Sequence, residues 1–282
     1  MRNNQDRLGV DLPTNNAQPN HEPPPTQEAL QFIVPTESVD LPSKGLFYND
    51  GHPLHNQQTI EIRHMTTKEE DILINQSFVK NGTVIDRLLQ SVIVTPGIKV
   101  KDLLVGDKNA LTVACRVYGY GPEYETKFAC PSCSTVQSYM FDLSEIKHNE
   151  FESNLKEFDA EIDYNRHTVR MPIPRTKVQL ELKIFKDDVA AAFVKQKNKK
   201  ENKFTITSHY EKMIYSVNGN SDRQYVKSYI DSMSALDSRY LRAAYSKIVP
   251  GVDFACTFEC NSCDHEDSVE VPLTAEFFWP KS

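Results

Sequence analysis

Two Cys-x-x-Cys pairs, far apart in the sequence, constrain the fold of this chain more than any other feature. Cys130 and Cys133 form the first pair, and Cys260 and Cys263 form the second, 130 positions later. Each pair offers two thiolates, whereas a structural zinc ion takes four ligands arranged as a tetrahedron. The simplest completion is one ion shared by both pairs. We therefore predict one structural zinc per chain, bound by Cys130, Cys133, Cys260 and Cys263.

A longer pattern repeats around the two pairs. Shifting the sequence by 130 positions aligns Asp107 with Asp237, and the match continues without a gap to Leu143 and Leu273. The other matched positions are Leu111 with Leu241, Ala114 with Ala244, Gly121 with Gly251, Tyr124 with Phe254, and Phe128 with Phe258. We therefore predict an α+β protein made of an internally duplicated α/β unit. Each half would carry one zinc-knuckle β-hairpin, and a pseudo-two-fold axis would relate the halves.

The cysteine pairs have other interpretations. Ordinary turns with free thiols need no metal. Disulfides need an oxidising compartment, and the N-terminal sequence lacks the apolar run of a secretory signal. A thioredoxin-like redox motif opens a helix, whereas strand-like runs at 139–141 and 269–271 follow these pairs. His265, two residues after Cys263, is an alternative fourth ligand.

Composition restricts the class of protein. Of the 282 residues, 39% are hydrophobic and 10% are aromatic, which is enough for a buried core. The net charge of −7 disfavours general nucleic-acid binding, which usually requires a basic excess. No run is long and apolar enough for a membrane span. Six cysteines without a secretory signal suggest a reducing cytoplasm, with Cys115 and Cys256 assigned to the core.

The chain divides into three predicted regions. Residues 1–35 are polar and proline-rich, and such composition predicts a disordered N-terminal tail. This tail is either a passive leader or an arm that becomes ordered on a partner. Residues 36–150 form the first predicted repeat, with Cys130 and Cys133, and residues 151–282 form the second, with Cys260 and Cys263.

Periodicity places the elements of the first repeat. An alternating strand is predicted at 59–63, and Thr67 with Glu70 forms a capping box that opens a helix. A second helix follows Thr83 and ends at Pro96, and Asp107 caps a third. The second helix has apolar residues at helical spacing at Ile85, Leu88, Leu89 and Val92.

The second repeat is predicted in the same order. A strand is expected at 178–183 and a helix at 187–193; Ser221 with Gln224 opens another helix, and Asp237 caps the last. The strand at 60–63 matches the strand at 180–183 at a shift of 120, whereas the last helix and the cysteine pair match at 130. About ten extra residues must therefore lie between the strand and the last helix of the second repeat. We assign them to a surface loop at 195–220. Its basic stretch, Lys195 to Lys203, is either solvated or contacts a nucleic acid or an acidic protein.

No catalytic motif is present in the sequence. A glycine-rich phosphate loop, a Gly-x-Ser-x-Gly elbow and a His-Glu-x-x-His helix are all missing. The pairs Glu69–Glu70 and Asp187–Asp188 lie in predicted first turns of helices, where the helix dipole explains them. Four thiolates would close the zinc site, whereas a zinc-dependent hydrolase keeps one position open. We predict a protein that is not an enzyme and has no small-molecule substrate.

Two motifs resemble a known family. The run Leu41-Pro42-Ser43-Lys44-Gly45, followed by Met-Thr-x-x-Glu-Glu at residues 65–70, resembles the baseplate hub assembly proteins of T-even-type contractile-tailed phages. The resemblance covers about the first third of the ordered chain. It implies a role in the central hub of the tail baseplate, through binding to other hub or wedge subunits in the host cytoplasm during assembly. The protein would then remain in the virion or leave as an assembly chaperone. Zinc is inferred from the spacing of the cysteines alone.

The competing class is a zinc-ribbon protein that binds nucleic acid or regulates transcription. Zinc ribbons often have such roles, and the lysine-rich stretch would assist. Acidic residues around the cysteine pairs argue against this class. They are Glu123, Glu125, Glu259, Asp264 and Glu266. We expect phage baseplate proteins as partners, and neither membrane nor nucleic acid.

Overall fold

The computed structural model describes residues 34–185, 205–271 and 277–278. Helices and small antiparallel sheets are mixed along this part of the chain, which confirms the predicted α+β class. Of the predicted tail, only Val34 and Pro35 are described, and the first strand begins at Thr36. The segments at 36–150 and 151–282 are called the first half and the second half below.

The elements of the first half are β1 (Thr36–Asp40), β2 (Thr59–Arg63), α1 (Thr67–Ile74), α2 (Gln76–Asn81), α3 (Val84–Val92), a 3-10 turn (Val100–Asp102), α4 (Val105–Tyr120), β3 (Glu123–Ala129), β4 (Val136–Asp142), a second 3-10 turn (Leu143–Glu145) and β5 (Lys147–His148). The described elements of the second half are α5 (Phe151–Glu157), β6 (Glu161–Asp163), β7 (Thr168–Pro172), β8 (Gln179–Lys183), α6 (Ile206–Met213), β9 (Ile214–Val217), α7 (Arg223–Ser232), α8 (Ala235–Ile248), β10 (Val252–Asp253), β11 (Ala255–Glu259) and β12 (Glu266–Glu270).

Each half contains an antiparallel strand pair with a similar surrounding, although the first pair is a two-stranded sheet and the second is the centre of the four-stranded sheet β6-β7-β8-β9. β1 pairs with β2 through five antiparallel residue pairs, and β7 pairs with β8 through five more. On the other edge of β2, Ile62 bridges to Ile93, the residue that directly follows α3. On the other edge of β8, Leu182 pairs with Ile214, the residue that directly follows α6. In both halves, therefore, the residue that follows a helix pairs with the free edge of the strand pair.

The surface loop predicted at 195–220 is wrong over residues 206–217, which form a helix and a strand. The helix α4 starts 12 residues after Ile93, whereas α8 starts 21 residues after Ile214. The difference is filled mainly by α7, where the first half has only a short 3-10 turn. Residues 206–217 of the predicted loop form α6 and β9. The basic stretch Lys195 to Lys203 and the predicted helix at 187–193 lie outside the described residues.

The first capping box lies one residue earlier than predicted. Thr66, not Thr67, is the N-cap of α1, and its partner is Glu69 rather than Glu70. The Glu69 carboxylate accepts hydrogen bonds from the backbone N–H and the hydroxyl of Thr66, at 2.9 and 2.8 Å. It also pairs with both terminal nitrogens of Arg63, at 3.0 and 2.7 Å. This ion pair, in which the Glu69 carboxylate is buried, selects Glu69 as the capping partner, whereas Glu70 accepts a hydrogen bond from the Tyr120 hydroxyl at 3.1 Å.

Three other caps also differ from prediction. Asp222 is the N-cap of α7 and accepts from the backbone N–H of Tyr225, so the predicted Ser221–Gln224 box does not form. The N-caps of α4 and α8 are Leu104 and Ser234. The predicted capping residues, Asp107 and Asp237, therefore occupy the third position of each helix.

Asp107 joins the loop between β1 and β2 to α4. Its buried carboxylate accepts from the Ser43 backbone N–H at 3.0 Å, the Ser43 hydroxyl at 2.7 Å and the Tyr48 hydroxyl at 2.7 Å. Tyr48 also accepts from the backbone N–H of Leu104, at 3.1 Å. Burial raises the pKa of Asp107, while the donors on Ser43 and Tyr48 act in the opposite direction. Asp237 instead bonds to Ser234, within its own helix cap.

The segment after each hairpin crosses to the opposite half. β5 of the first half pairs with β10 of the second, at Val252 with His148 and Asp253 with Lys147. Asn149 extends this contact, because its backbone N–H donates to the Gly251 carbonyl at 3.0 Å.

Phe277 of the second half contacts the first half in turn, and a buried arginine, Arg116, anchors it there. Arg116 donates to the carbonyls of Phe277, Gly121 and Glu123, at 2.7, 2.5 and 2.7 Å. The ring of Phe277 packs edge-on against Tyr124, with 5.3 Å between the centroids. Burial lowers the pKa of Arg116. Arg116 thus ties the end of α4, the start of β3 and Phe277 together through three backbone carbonyls.

Replacing Asp107 should destabilise the protein more than replacing its aligned counterpart. We expect Asp107→Ala to lower the free energy of unfolding by about 3–4 kcal/mol, because it leaves three buried donors without an acceptor. We expect Asp237→Ala to lower it by about 1 kcal/mol, the usual cost of a weakened helix cap. Urea unfolding of both variants measures the difference. Equal losses would contradict the role of Asp107 in tying the loop to α4.

The Arg63–Glu69 pair should contribute stability that depends on pH. Burial opposes ionisation of Glu69, but the hydrogen bonds from Arg63 and Thr66 outweigh it and lower the pKa from 4.5 to about 2. A depressed carboxyl pKa stabilises the folded state above the unfolded value, and this contribution is lost as the pH falls toward the folded value. Wild type should therefore exceed Glu69→Gln by up to about 3 kcal/mol at pH 6, with the gap shrinking between pH 4.5 and pH 2. A gap that stays constant on acidification would show that Glu69 does not carry this effect.

Candidate metal centre

Two β-hairpins present the cysteine pairs. β3 pairs with β4 from Glu123–Asp142 to Ala129–Val136, and β11 pairs with β12 from Ala255–Glu270 to Glu259–Glu266. A shift of 130 positions converts one register into the other. Each Cys-x-x-Cys pair occupies the turn that its hairpin closes.

The first turn has a defined backbone geometry. The backbone N–H of Cys130 donates to the Thr135 carbonyl at 3.0 Å, and the N–H of Ser134 donates to the Cys130 carbonyl at 2.9 Å. Ser134 is in the left-handed region, with φ of 59°. The N–H of Ser132 points at the sulfur of Cys130, at 3.4 Å. Such N–H groups stabilise a thiolate.

The second turn repeats these contacts. The N–H of Cys260 donates to the His265 carbonyl at 3.0 Å, and the N–H of Asp264 donates to the Cys260 carbonyl at 3.0 Å. Asp264 has φ of 51°, and the N–H of Ser262 lies 3.4 Å from the Cys260 sulfur.

The two turns bring all four predicted sulfur ligands together. The sulfurs of Cys130 and Cys263 are 3.8 Å apart, as are those of Cys133 and Cys260, and all four lie within 4.8 Å of one another. A tetrahedron with zinc–sulfur bonds of about 2.3 Å has sulfur–sulfur edges of about 3.8 Å. The two shortest distances therefore match the edges of a zinc–thiolate tetrahedron. Cys130 and Cys260 are buried, and Cys133 and Cys263 are exposed.

The other cysteines and His265, the alternative metal ligand, lie outside the four-sulfur group. Cys115 is buried in α4 and Cys256 is half-buried in β11, away from the four sulfurs. The ring of His265 faces Asp267, with 3.6 Å between Nε2 and the carboxylate. His265 is not part of the four-sulfur group.

Aromatic rings hold the two hairpins together behind the sulfurs. Phe128 and Phe258, which align at the 130-residue shift, have ring centroids 4.8 Å apart. Tyr139 packs on Phe258, at 5.0 Å, and its hydroxyl donates to the Thr257 carbonyl at 3.0 Å. These contacts help to place the hairpins face to face.

Gln137 links the two turns directly. Its side-chain N–H donates to the Glu259 carbonyl at 3.2 Å, and its side-chain oxygen accepts from the backbone N–H of Asn261 at 3.1 Å. The same oxygen lies 3.6 Å from the Cys260 sulfur. Sequence analysis did not single out Gln137. Its alternation with Tyr139 and Phe141 on one face of β4 is the signal that could have found it.

The thiols are arranged for ionisation in the presence of a cation. The hydroxyl and backbone N–H of Thr135 lower the pKa of Cys133 to about 6. The backbone N–H of His265 acts in the same direction on Cys263, but burial and the neighbouring cysteines raise its pKa to about 12. Without a cation, one thiolate thus opposes the ionisation of the next. A bound divalent ion would remove that opposition.

Comparison with known families decides what kind of protein this is. The family model described as T4 bacteriophage base plate protein matches residues 36–279. The chain belongs to this family. The resemblance to T-even-type baseplate proteins, seen at residues 41–45 and 65–70, is therefore confirmed, and the match extends over both halves. No curated protein and no solved structure matches the chain.

Family membership makes the chain a phage baseplate protein, a component of the virion tail that interacts with other baseplate proteins. Among the residues described, no helix has the length and apolarity needed to cross a bilayer.

Proposed function

We propose that this baseplate protein is a hub protein or hub-assembly factor that binds other baseplate subunits and performs no catalysis. Its folded body would be stabilised by one structural zinc ion on Cys130, Cys133, Cys260 and Cys263. The observation that carries the proposal is the four-sulfur group, held between two hairpins of a chain whose family builds the baseplate. Binding would begin in the host cytoplasm during assembly.

The zinc would be closed to substrates. Four thiolates complete a tetrahedron, so no position remains for a water molecule to be activated. The ion would instead add to the small aromatic cluster that holds the two hairpins together. Each hairpin alone is too small to be stable in water.

We further propose that residues 36–150 and 151–282 are two repeats of one unit, related by a pseudo-two-fold axis. Matching ladders, matching knuckle turns and the paired Phe128 and Phe258 support this. The 3.8 Å distances support it too, because the repeat exchanges the Cys130–Cys263 pair with the Cys260–Cys133 pair. The helix α7 is the main addition in the second repeat.

Surface charge supports protein partners over nucleic acid. Five acidic residues on the two hairpins are exposed: Glu123, Glu125, Glu259, Asp264 and Glu266. They would repel a phosphate backbone. Basic groups on a neighbouring baseplate subunit would be attracted to them.

Elemental analysis tests the zinc. Purified protein should contain close to one zinc per chain bound by thiolates, and Cys263→Ser should lose most of it and unfold at lower denaturant concentration. Cys256→Ser is the matched control: Cys256 lies in the same hairpin but outside the sulfur group, so zinc content should be unchanged. If Cys263→Ser retains its zinc, the four-cysteine assignment is wrong.

Capture of baseplate subunits tests the function. Immobilised wild-type protein and Cys256→Ser should both retain hub subunits from infected cells, and Cys263→Ser should retain fewer because its hairpins separate. A chain lacking residues 1–33 separates the tail from the folded body. If this shortened chain has a normal zinc content but captures fewer subunits, the tail takes part in binding. Failure of every form to retain any baseplate subunit would contradict the proposed function, and mass spectrometry of mature virions distinguishes a resident subunit from a chaperone.

A further inference from the structure

A second group of metal-ligating side chains lies away from the cysteines. Asp50, His55 and His167 place one carboxylate oxygen and two imidazole nitrogens within 4.8 Å of one another. The Asp50 oxygen is 3.4 Å from Nε2 of His55 and 3.9 Å from Nε2 of His167. His55 and His167 are 112 positions apart in the sequence, so their meeting is a product of the fold.

Both imidazoles are oriented by backbone carbonyls. Nδ1 of His55 lies 2.7 Å from the carbonyl oxygen of Tyr48, and Nδ1 of His167 lies 3.2 Å from that of Leu46. A carbonyl oxygen only accepts, so Nδ1 carries the proton in each neutral ring and Nε2 keeps its lone pair. Both Nε2 atoms face Asp50. Metal-binding histidines are usually held in this way, with the other ring nitrogen donating to a carbonyl or carboxylate.

The carbonyls that orient the rings belong to a rigid loop. Tyr48 is buried and tied to Asp107 through its hydroxyl. Gly45 lets the loop close on itself: its φ is +73°, and a Cβ at this position would lie 2.4 Å from the Leu54 carbonyl oxygen. His167 is itself in the left-handed region, with φ of 54°, in the turn before β7. The positions of the two imidazoles are thus set by backbone contacts.

We propose that Asp50, His55 and His167 bind a divalent transition-metal ion, with zinc as the reference case. The ligands would be one carboxylate oxygen of Asp50 and Nε2 of each histidine, with water in the fourth position. Two imidazoles and a carboxylate are a common ligand set for this class of ion.

The distances are close to those a metal requires. Zinc–nitrogen and zinc–oxygen bonds of about 2.0–2.2 Å give tetrahedral edges of about 3.3–3.6 Å. The Asp50–His55 distance already lies in this range, and the Asp50–His167 distance needs a closure of a few tenths of an ångström. The Asp50 side chain, 91% exposed, is free to make that movement. The exposed amide of Asn56, now 2.8 Å from Nε2 of His55, would turn outward to solvent.

Such an ion would connect the two halves at a point separate from the cysteines. Asp50 and His55 lie in the loop between β1 and β2, and His167 lies between β6 and β7. The site is made of nitrogen and oxygen ligands, so it should bind more weakly than four thiolates. It does not depend on the proposed hub function.

Zinc titration of the full-length protein tests this site. Protein already holding one thiolate-bound zinc should take up a second equivalent in isothermal titration calorimetry. Asp50→Asn should weaken this second binding by more than about tenfold, as expected for loss of a metal ligand. Because Asp50 is exposed, this variant should fold normally. His167→Asn is a second variant, since asparagine tolerates the left-handed conformation.

His64→Gln is the matched control. Nε2 of His64 is also 3.4 Å from a carboxylate oxygen, that of Glu37. Among the described residues, however, no second imidazole joins this pair to make a three-ligand group. The second binding should be unchanged in this variant. Absence of a second equivalent in the wild type, or equal weakening in Asp50→Asn and His64→Gln, would overturn the proposal and leave Asp50 and the two histidines as an ordinary polar cluster.

Discussion

Neither cysteine hairpin supplies more than two of the four sulfurs, so the sulfurs group only where the two hairpins meet face to face. Phe128 and Phe258 pack where they meet, Gln137 bonds across the junction, and α4 and α8 precede the hairpins in matching positions. The chain between the pairs must then leave the site and return to it.

The sequence was most informative where a pattern is local. Period-two alternation placed β2 at the observed residues, and the spacing of the cysteines led to four sulfurs that do converge. Helix starts were less accurate, because several Ser, Thr and Asp residues compete for each cap. Burial decides among them: Glu69 is selected by Arg63, and Asp107 is drawn from the cap position toward Ser43 and Tyr48.

Contacts between distant segments were beyond the reach of sequence patterns. The surface loop predicted at 195–220 was wrong over residues 206–217, because a ten-residue helix and a lysine-rich loop account equally well for the extra residues on the sequence alone. Arg116 bonds to backbone carbonyls, which leave no trace in side-chain patterns. His55 and His167 have no motif spacing and meet only because a loop of the first half rests on a turn of the second.

The crossing of β5 onto β10, and of Phe277 onto Tyr124, has a consequence for how copies of the chain behave together. The segments that make these contacts within one chain are also present in a second copy, so the same contacts can form between two chains. A hairpin that meets its counterpart from a neighbouring chain would find the same sulfurs, the same aromatic rings and the same crossing strand. Domain swapping of this kind reuses native contacts and is governed by concentration. Crowded nascent chains would thus be drawn toward an intertwined dimer with two four-thiol sites, and dilute chains toward the closed monomer.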